Sequence, residues 1–355
     1  MSYLTKIIVC MVIYLVIAPI PIAYADQDSA VIFVYHRIGQ DDYENSNTSI
    51  ATFRAHIELL EQEEFNIQPV QDIIQSLKNG TSLPPKTVGL TFEGGFTATR
   101  DNALTFLMKK KIPFTLFFST ARIDRNSESY LNWDDLRRLK KSKYADFGIL
   151  PAQYSHMIHN DEMTNKEQIN LALSRFQEEL KLRPKLFAYP FGEYSLDVQD
   201  TIKTYQFLGA FGQHSGSISS QTDRLLLPRF SMTEQYATLD RFKLVAQSRP
   251  LKISEVTPKD HFLDSLEHPP TISFQIDLAD HQNIEQLSCF ASEIGKLDMR
   301  QVEETRYEVQ FPDALPDGRT RINCTLPSVN HTPGQEKIWH WYGMMLTKGL
   351  PQDSF

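Results

Sequence analysis

Residues 87–120 read TVGLTFEGGFTATRDNALTFLMKKKIPFTLFFST, and this run decides the fold. Thr87 to Phe92 is β-branched, apolar and aromatic, which predicts a buried strand. Ala98 to Lys110 carries Ala103, Phe106 and Leu107 on one face, which predicts a helix. Lys109 to Lys111 falls at its end, where cations complement the helix dipole. Pro113 stops the helix, and Phe114 to Phe118 predicts a further buried strand. Strand, helix and strand in this order imply parallel strands covered by helices. In such scaffolds the working groups sit at the carboxyl ends of the strands. Glu93-Gly94-Gly95 occupies one such end.

The same alternation extends outward. Val31 to Tyr35 predicts an earlier strand, and Ser49 to Glu64 a helix burying Phe53, Ile57, Leu59 and Leu60. Asn132 reads as the cap of a helix over Trp133 to Lys141. Thr164 and Glu167 have capping-box spacing ahead of a helix burying Ile169, Leu173, Phe176 and Leu180. Leu186 to Tyr189 predicts a strand ending at Pro190. Beyond Pro250 the pattern changes to short alternating strands and turns, including Thr271 to Ile276 and Arg306 to Phe311. This predicts a small β-sandwich over 251–355 after an α/β domain over 26–250.

The chain has 355 residues, 41% hydrophobic and 23% charged, with a net charge of -8. That charge, with no basic cluster along the chain to offset it, argues against a nucleic-acid partner, which needs a basic face. Lys6, the apolar run Ile7 to Ala18 and the Ala23-Tyr24-Ala25 site predict a signal peptide over 1–25. The alternative is an uncleaved anchor helix. Cleavage leaves no further membrane-crossing segment, so the mature protein is expected to be exported, periplasmic or extracellular. Cys10 leaves with the signal. Cys289 and Cys324 remain, and an oxidising compartment favours a disulfide between them over two buried thiols.

Imidazoles and carboxylates recur at predicted strand ends: His36, Glu93, His156 and His159 in LPAQYSHMIH, Glu193 in PFGEY, and His214 in GQHSG. They suggest one pocket, although a lone histidine is ordinarily structural. Glu193 reads equally as a groove or a turn residue. Trp339 to Tyr342 could stack on sugar rings or fill the sandwich core.

With VIFVYHRIG, the 87–120 run, YLNWDDLRRL, LFAYPFGEYS and LLLPRFSM in this order, the chain resembles the polysaccharide deacetylases. These are the NodB-homology or carbohydrate esterase family 4 enzymes, and the likeness is to their poly-N-acetylglucosamine deacetylase branch. It covers Val31 to Thr233 and implies a deformed (β/α) barrel with a groove at the strand carboxyl ends. It also implies zinc-assisted amide hydrolysis, with one Asp and two His holding the metal, an Asp base and a His acid. Mapped onto this chain, Glu93 stands at the base position and Gly94 at the first ligand position. His156 keeps one ligand position and Ala152 stands at the other. His214 is an acid candidate, and His36, His159, Glu193 and Arg229 are groove candidates, Arg229 as partner of a groove carboxylate. One imidazole cannot hold zinc usefully, since zinc sites need three or four ligands. The expectation is no cofactor, or zinc or another divalent metal if His159, His36, His214 or Glu193 rebuilds the site. Three functions stay open. The first is an exported protein that binds an N-acetylated polysaccharide or oligosaccharide with the standard metal mechanism impaired. The second is an active C–N hydrolase using Glu93 as base. The third is a non-catalytic component of an envelope polysaccharide assembly.

Overall fold

The structure, a computed structural model, describes residues 28–263, 271–277, 283–328 and 337–349. The predicted signal peptide lies outside the described residues. Among those described, no helix is long and apolar enough to cross a membrane.

Six parallel strands stand side by side: Ser29–Tyr35, Thr87–Glu93, Phe114–Phe118, Ala145–Ile149, Leu186–Ala188 and Gly209–Phe211. Thr87–Glu93 is buried at every position, as a strand covered on both faces should be. Val88, Leu90 and Phe92 enter the core beneath the helices. The alternate residues Gly89, Thr91 and Glu93 therefore face the interior of the curled sheet. That interior is filled by Ile32, Phe117, Leu186, Phe211 and Leu227. Phe117 lies over Gly148, where an added Cβ would meet its ring at 2.0 Å.

The curl is closed by the LLLPRFSM segment. Leu227 bridges to Phe211 at one edge, and Phe230–Ser231 pairs with Phe33 and Val34 at the other. Ser217–Ser219 pairs antiparallel with the beginning of the first strand. The helix Val70–Asn79, for which the sequence reading made no assignment, seals the far end. Its Val70 and Ile73 pack where a side chain on Gly89 would be.

Helix ends follow local chemistry. Ser49 caps Ile50–Gln62, and Asn132 forms a capping box with Asp135 over Trp133–Lys140. The expected box at Thr164 and Glu167 is corrected. The carboxylate of Asp161 accepts from the Thr164 N–H, so the helix starts at Glu162 and runs to Leu180.

The C-terminal strands form a second sheet, with long antiparallel neighbours Gly318–Pro327 and Trp339–Lys348. Its two layers share one strand, Gly295–Gln301. The first part of that strand pairs with Cys289 to Ala291, and the second with Tyr307 to Gln310. Phe274, Ile276 and Val309 of one layer meet Leu326, Met344 and Leu346 of the other. Cys289 and Cys324 are directly opposed and disulfide-bonded. Trp341 turns toward the barrel, its ring 5.2 Å from that of Phe230, rather than into the sandwich core. Gly343 lies so near Ser215 that a Cβ would fall 1.9 Å from its carbonyl oxygen.

Candidate functional site

Glu93 ends its strand facing the barrel interior and is 1% exposed. Gly94 and Gly95 follow with φ of 118° and 70°, a left-handed turn that favours glycine. The turn brings the Phe96 ring back over Gly94, and a Cβ on Gly94 would lie 2.3 Å from Phe96 Cε2. The place where the resemblance puts a metal-binding carboxylate is thus closed by an aromatic ring.

Both oxygens of Glu93 are engaged. Tyr154 Oη and Gln213 Nε2 each donate to Oε1 at 3.1 Å. Arg229 donates through Nη2 to Oε2 at 2.7 Å, and through Nε to the Gly212 carbonyl at 3.0 Å. Arg229 is fully buried, held on the closing segment between the Phe117 and Phe211 rings. A buried arginine needs such a partner, because an unpaired buried charge is strongly destabilising. His36 Nε2 approaches Glu93 Oε1 to 3.9 Å. Burial, foremost, lowers the His36 pKa; Glu93 opposes this, and Arg229, Arg321 and Arg37 reinforce it.

A second buried carboxylate lies beside the first. Glu193 follows a tight turn at Pro190–Gly192, and its Oε2 meets His156 Nδ1 at 2.6 Å. The His156 ring stacks on Phe191, with centroids 4.1 Å apart. The Phe191 N–H donates to Tyr154 Oη, which joins this pair to Glu93. Arg319 of the C-terminal sheet completes the chain, with Nε 3.6 Å from Glu193 Oε1 and Nη1 donating to the Phe191 carbonyl at 3.3 Å. The barrel and the β-domain therefore meet over one groove.

Other anticipated residues fall differently. Ala152 is fully buried, its N–H donating to the Gln168 carbonyl and its own carbonyl accepting from Ala121. His159 is exposed at the end of a short turn, its ring 6.0 Å from that of His156 and edge-on to Phe262. His214 does not join Glu93. It lines a separate cavity of about 270 Å³ between barrel and β-domain, with Ser217, His261, Trp341 and Tyr342. Burial pushes the His214 pKa down to about 3 and that of His261 down to about 4.

The donor set does not fit the zinc site that the resemblance implies. Gly94 offers no side chain and Ala152 no donor atom, and Glu193 holds His156 through Nδ1. Among the described residues no three His, Cys, Asp or Glu side chains are grouped so as to hold a metal ion. The sequence reading missed Tyr154 and Gln213, which sit in quoted strand-end loops but are not imidazoles or carboxylates. It also missed Phe96, and Arg319 carried no local signal at all.

Residues 80–209 match the family model described as polysaccharide deacetylase. A poly-beta-1,6-N-acetyl-D-glucosamine N-deacetylase of Staphylococcus aureus strain MSSA476 is 21% identical over 215 residues, covering 57% of this chain and 73% of the relative. Among solved structures, the Streptococcus pyogenes deacetylase PplD in complex with acetate aligns with a TM-score of 0.57 at 16% identity, covering 61% of this chain and 98% of that one. IcaB from Ammonifex degensii aligns with a TM-score of 0.56 at 21% identity, covering 62% of this chain and 98% of that one. At these identities the structural likenesses speak to the fold.

Proposed function

We propose that this chain, whose residues 80–209 match the polysaccharide deacetylase family model and which resembles a poly-beta-1,6-N-acetyl-D-glucosamine N-deacetylase, is a glycan-binding protein that has left that family's metal-dependent chemistry. It takes an N-acetylated polysaccharide or oligosaccharide in the groove above Glu93. The observation that carries this reading is the closure of the Gly94 position by Phe96. A second change points the same way, since Ala152 is built into the core. The rim suits a sugar chain: Tyr43, 49% exposed, and the half-buried Tyr130 offer ring surface for the apolar faces of a saccharide, while Phe96, 5.2 Å from the Tyr130 ring, is buried against Gly94 and Arg37. The basic, apolar and A-x-A pattern of residues 1–25 supports export. A role beside envelope polysaccharide machinery would suit a β-domain that overhangs the groove.

Calorimetry on the mature protein tests the reading. Zinc is expected to give no micromolar binding, while an N-acetylglucosamine oligomer binds without releasing acetate. Micromolar zinc binding that is lost in His156→Ala would overturn it.

One observation favours a second reading. The buried Glu193 carboxylate holds His156 Nδ1 at 2.6 Å, an arrangement that orients an imidazole for general base work. Acetate release that persists in a strong chelator and disappears in His156→Gln would establish a metal-independent hydrolase instead.

A further inference from the structure

Arginines converge on the groove mouth without carboxylates to match them. Arg37 lies flat on the rings of Tyr43 and Phe96, 3.7 Å from each centroid, and donates to the Gln40 side chain. Arg122 lies 4.5 Å from the Tyr154 ring centroid, beside the phenol that donates to Glu93. Arg321 projects from the C-terminal sheet, and its buried Nε has no hydrogen-bond partner. Among the described residues, none of these three forms an ion pair with Asp or Glu within 4 Å. Two carboxylates of the groove are already committed, Glu93 to Arg229 and Glu193 to His156 and Arg319. The surplus of positive charge stands out on a chain of net charge -8.

These side chains also lie near one another. Arg122 lies 5.5 Å from the Tyr130 ring centroid, and that ring is 5.2 Å from the Phe96 ring on which Arg37 rests. Arg321 stands two residues along the Gly318–Pro327 strand from Arg319, on the same face, and Arg319 reaches Glu193 in the groove. Like charges gathered around one opening repel, and a ligand anion relieves that repulsion. Stacking on aromatic faces leaves the edges of a guanidinium, where its N–H donors lie, open to a planar anion.

We infer that the groove mouth formed by Arg37, Arg122 and Arg321 binds an anionic substituent of a saccharide, so that the ligand is an acidic glycan rather than a neutral one. This rests on the glycan-binding reading above. A carboxylate of a uronic acid and a sulfate or phosphate ester share the needed chemistry, and the test separates them. The same charge disfavours a de-N-acetylated, cationic glucosamine chain.

Binding would be measured by calorimetry on the mature full chain with three tetrasaccharides: neutral N-acetylglucosamine, alternating N-acetylglucosamine and glucuronate, and a sulfated counterpart. The expected result is that at least one acidic probe binds about tenfold or more tighter than the neutral one, the scale of one charge-assisted hydrogen bond. That advantage should shrink as salt rises, and Arg321→Gln should remove most of it. Arg122→Gln is a second variant, away from the joint between the sheets, in case Arg321→Gln impairs folding. Preference for glucuronate identifies a carboxylate site and preference for the sulfated probe an ester site. Equal binding of neutral and acidic probes overturns this inference and leaves glycan binding standing. An acidic preference untouched by both variants overturns it as well. No binding of any probe removes the glycan reading together with this one.

Discussion

Arg229 and Glu93 form an ion pair 2.7 Å long in which neither side chain is more than 1% exposed. The pair joins the closing segment of the barrel to the strand end that carries the groove carboxylate. Removing one member leaves the other charged and buried. Arg229→Met is therefore expected to cost about 3 to 5 kcal/mol of stability, measured by urea unfolding. The double variant Arg229→Met/Glu93→Gln should recover a large part of that loss. A single variant as stable as the parent would show that the pair does not hold the barrel shut.

Gly94 should tolerate a side chain worse than a glycine in open space does. Gly94→Ala meets both a left-handed backbone at φ 118° and the Phe96 ring. Gly80 also has positive φ, 65°, but nothing lies within 4 Å of its added Cβ. Backbone strain alone costs about 1 to 3 kcal/mol, so thermal unfolding should fall further for Gly94→Ala than for Gly80→Ala. Adding Phe96→Ala should relieve only the steric part of the Gly94→Ala loss.

Acid should weaken the fold before the carboxylates are protonated. Burial depresses His56 to about 4, His214 to about 3 and His261 to about 4, from an ordinary 6.5. Between 6.5 and those values the unfolded chain binds protons that the folded chain refuses, so stability falls as pH falls. Each histidine contributes a slope of up to about 1.4 kcal/mol per pH unit in that window. Unfolding free energies from pH 7 to pH 4.5 should show this decline. A His56→Gln variant should show a shallower one, and equal slopes in parent and variant would remove His56 from the account.

Reduction should act on the β-domain. The Cys289–Cys324 bridge spans a sequence separation of 35, and closing a loop of that size is worth about 3 to 4 kcal/mol on the chain-entropy model. A Cys289→Ser/Cys324→Ser variant should unfold at lower denaturant, with the loss read from the tryptophans of the Trp339–Lys348 strand. Identical curves for reduced and oxidised protein would show that the bridge adds nothing.

The barrel was legible in sequence because its strands are buried on both faces and read as continuous β-branched and aromatic runs, as in Phe114–Phe118. Val70–Asn79 escaped notice, being short and preceded by Pro69 without a polar cap side chain. Asp161 was overlooked as a cap because Thr164 and Glu167 mimic a capping box one turn too late. In the candidate site, Glu93, Arg229, His156 and Glu193, which the structure brings together, were legible as charged or imidazole groups at or near strand ends. Phe96 was not, since nothing in its residue type says that it folds back over Gly94. His214 carried the right residue type, yet the path of its loop turns its ring toward His261 and the β-domain. Arg319 and Arg321 could not be assigned to the groove at all. Their position depends on how the second sheet rests on the first, which no local pattern encodes.

The segment that zips the barrel closed also delivers Arg229 to Glu93. Architecture and electrostatics are therefore inherited on one piece of chain. A lineage that abandoned turnover would still need this arginine and its carboxylate to keep the barrel intact. Their buried pairing is accounted for by the integrity of the barrel alone, so a test of chemistry belongs at Gly94 and Ala152 rather than at this pair.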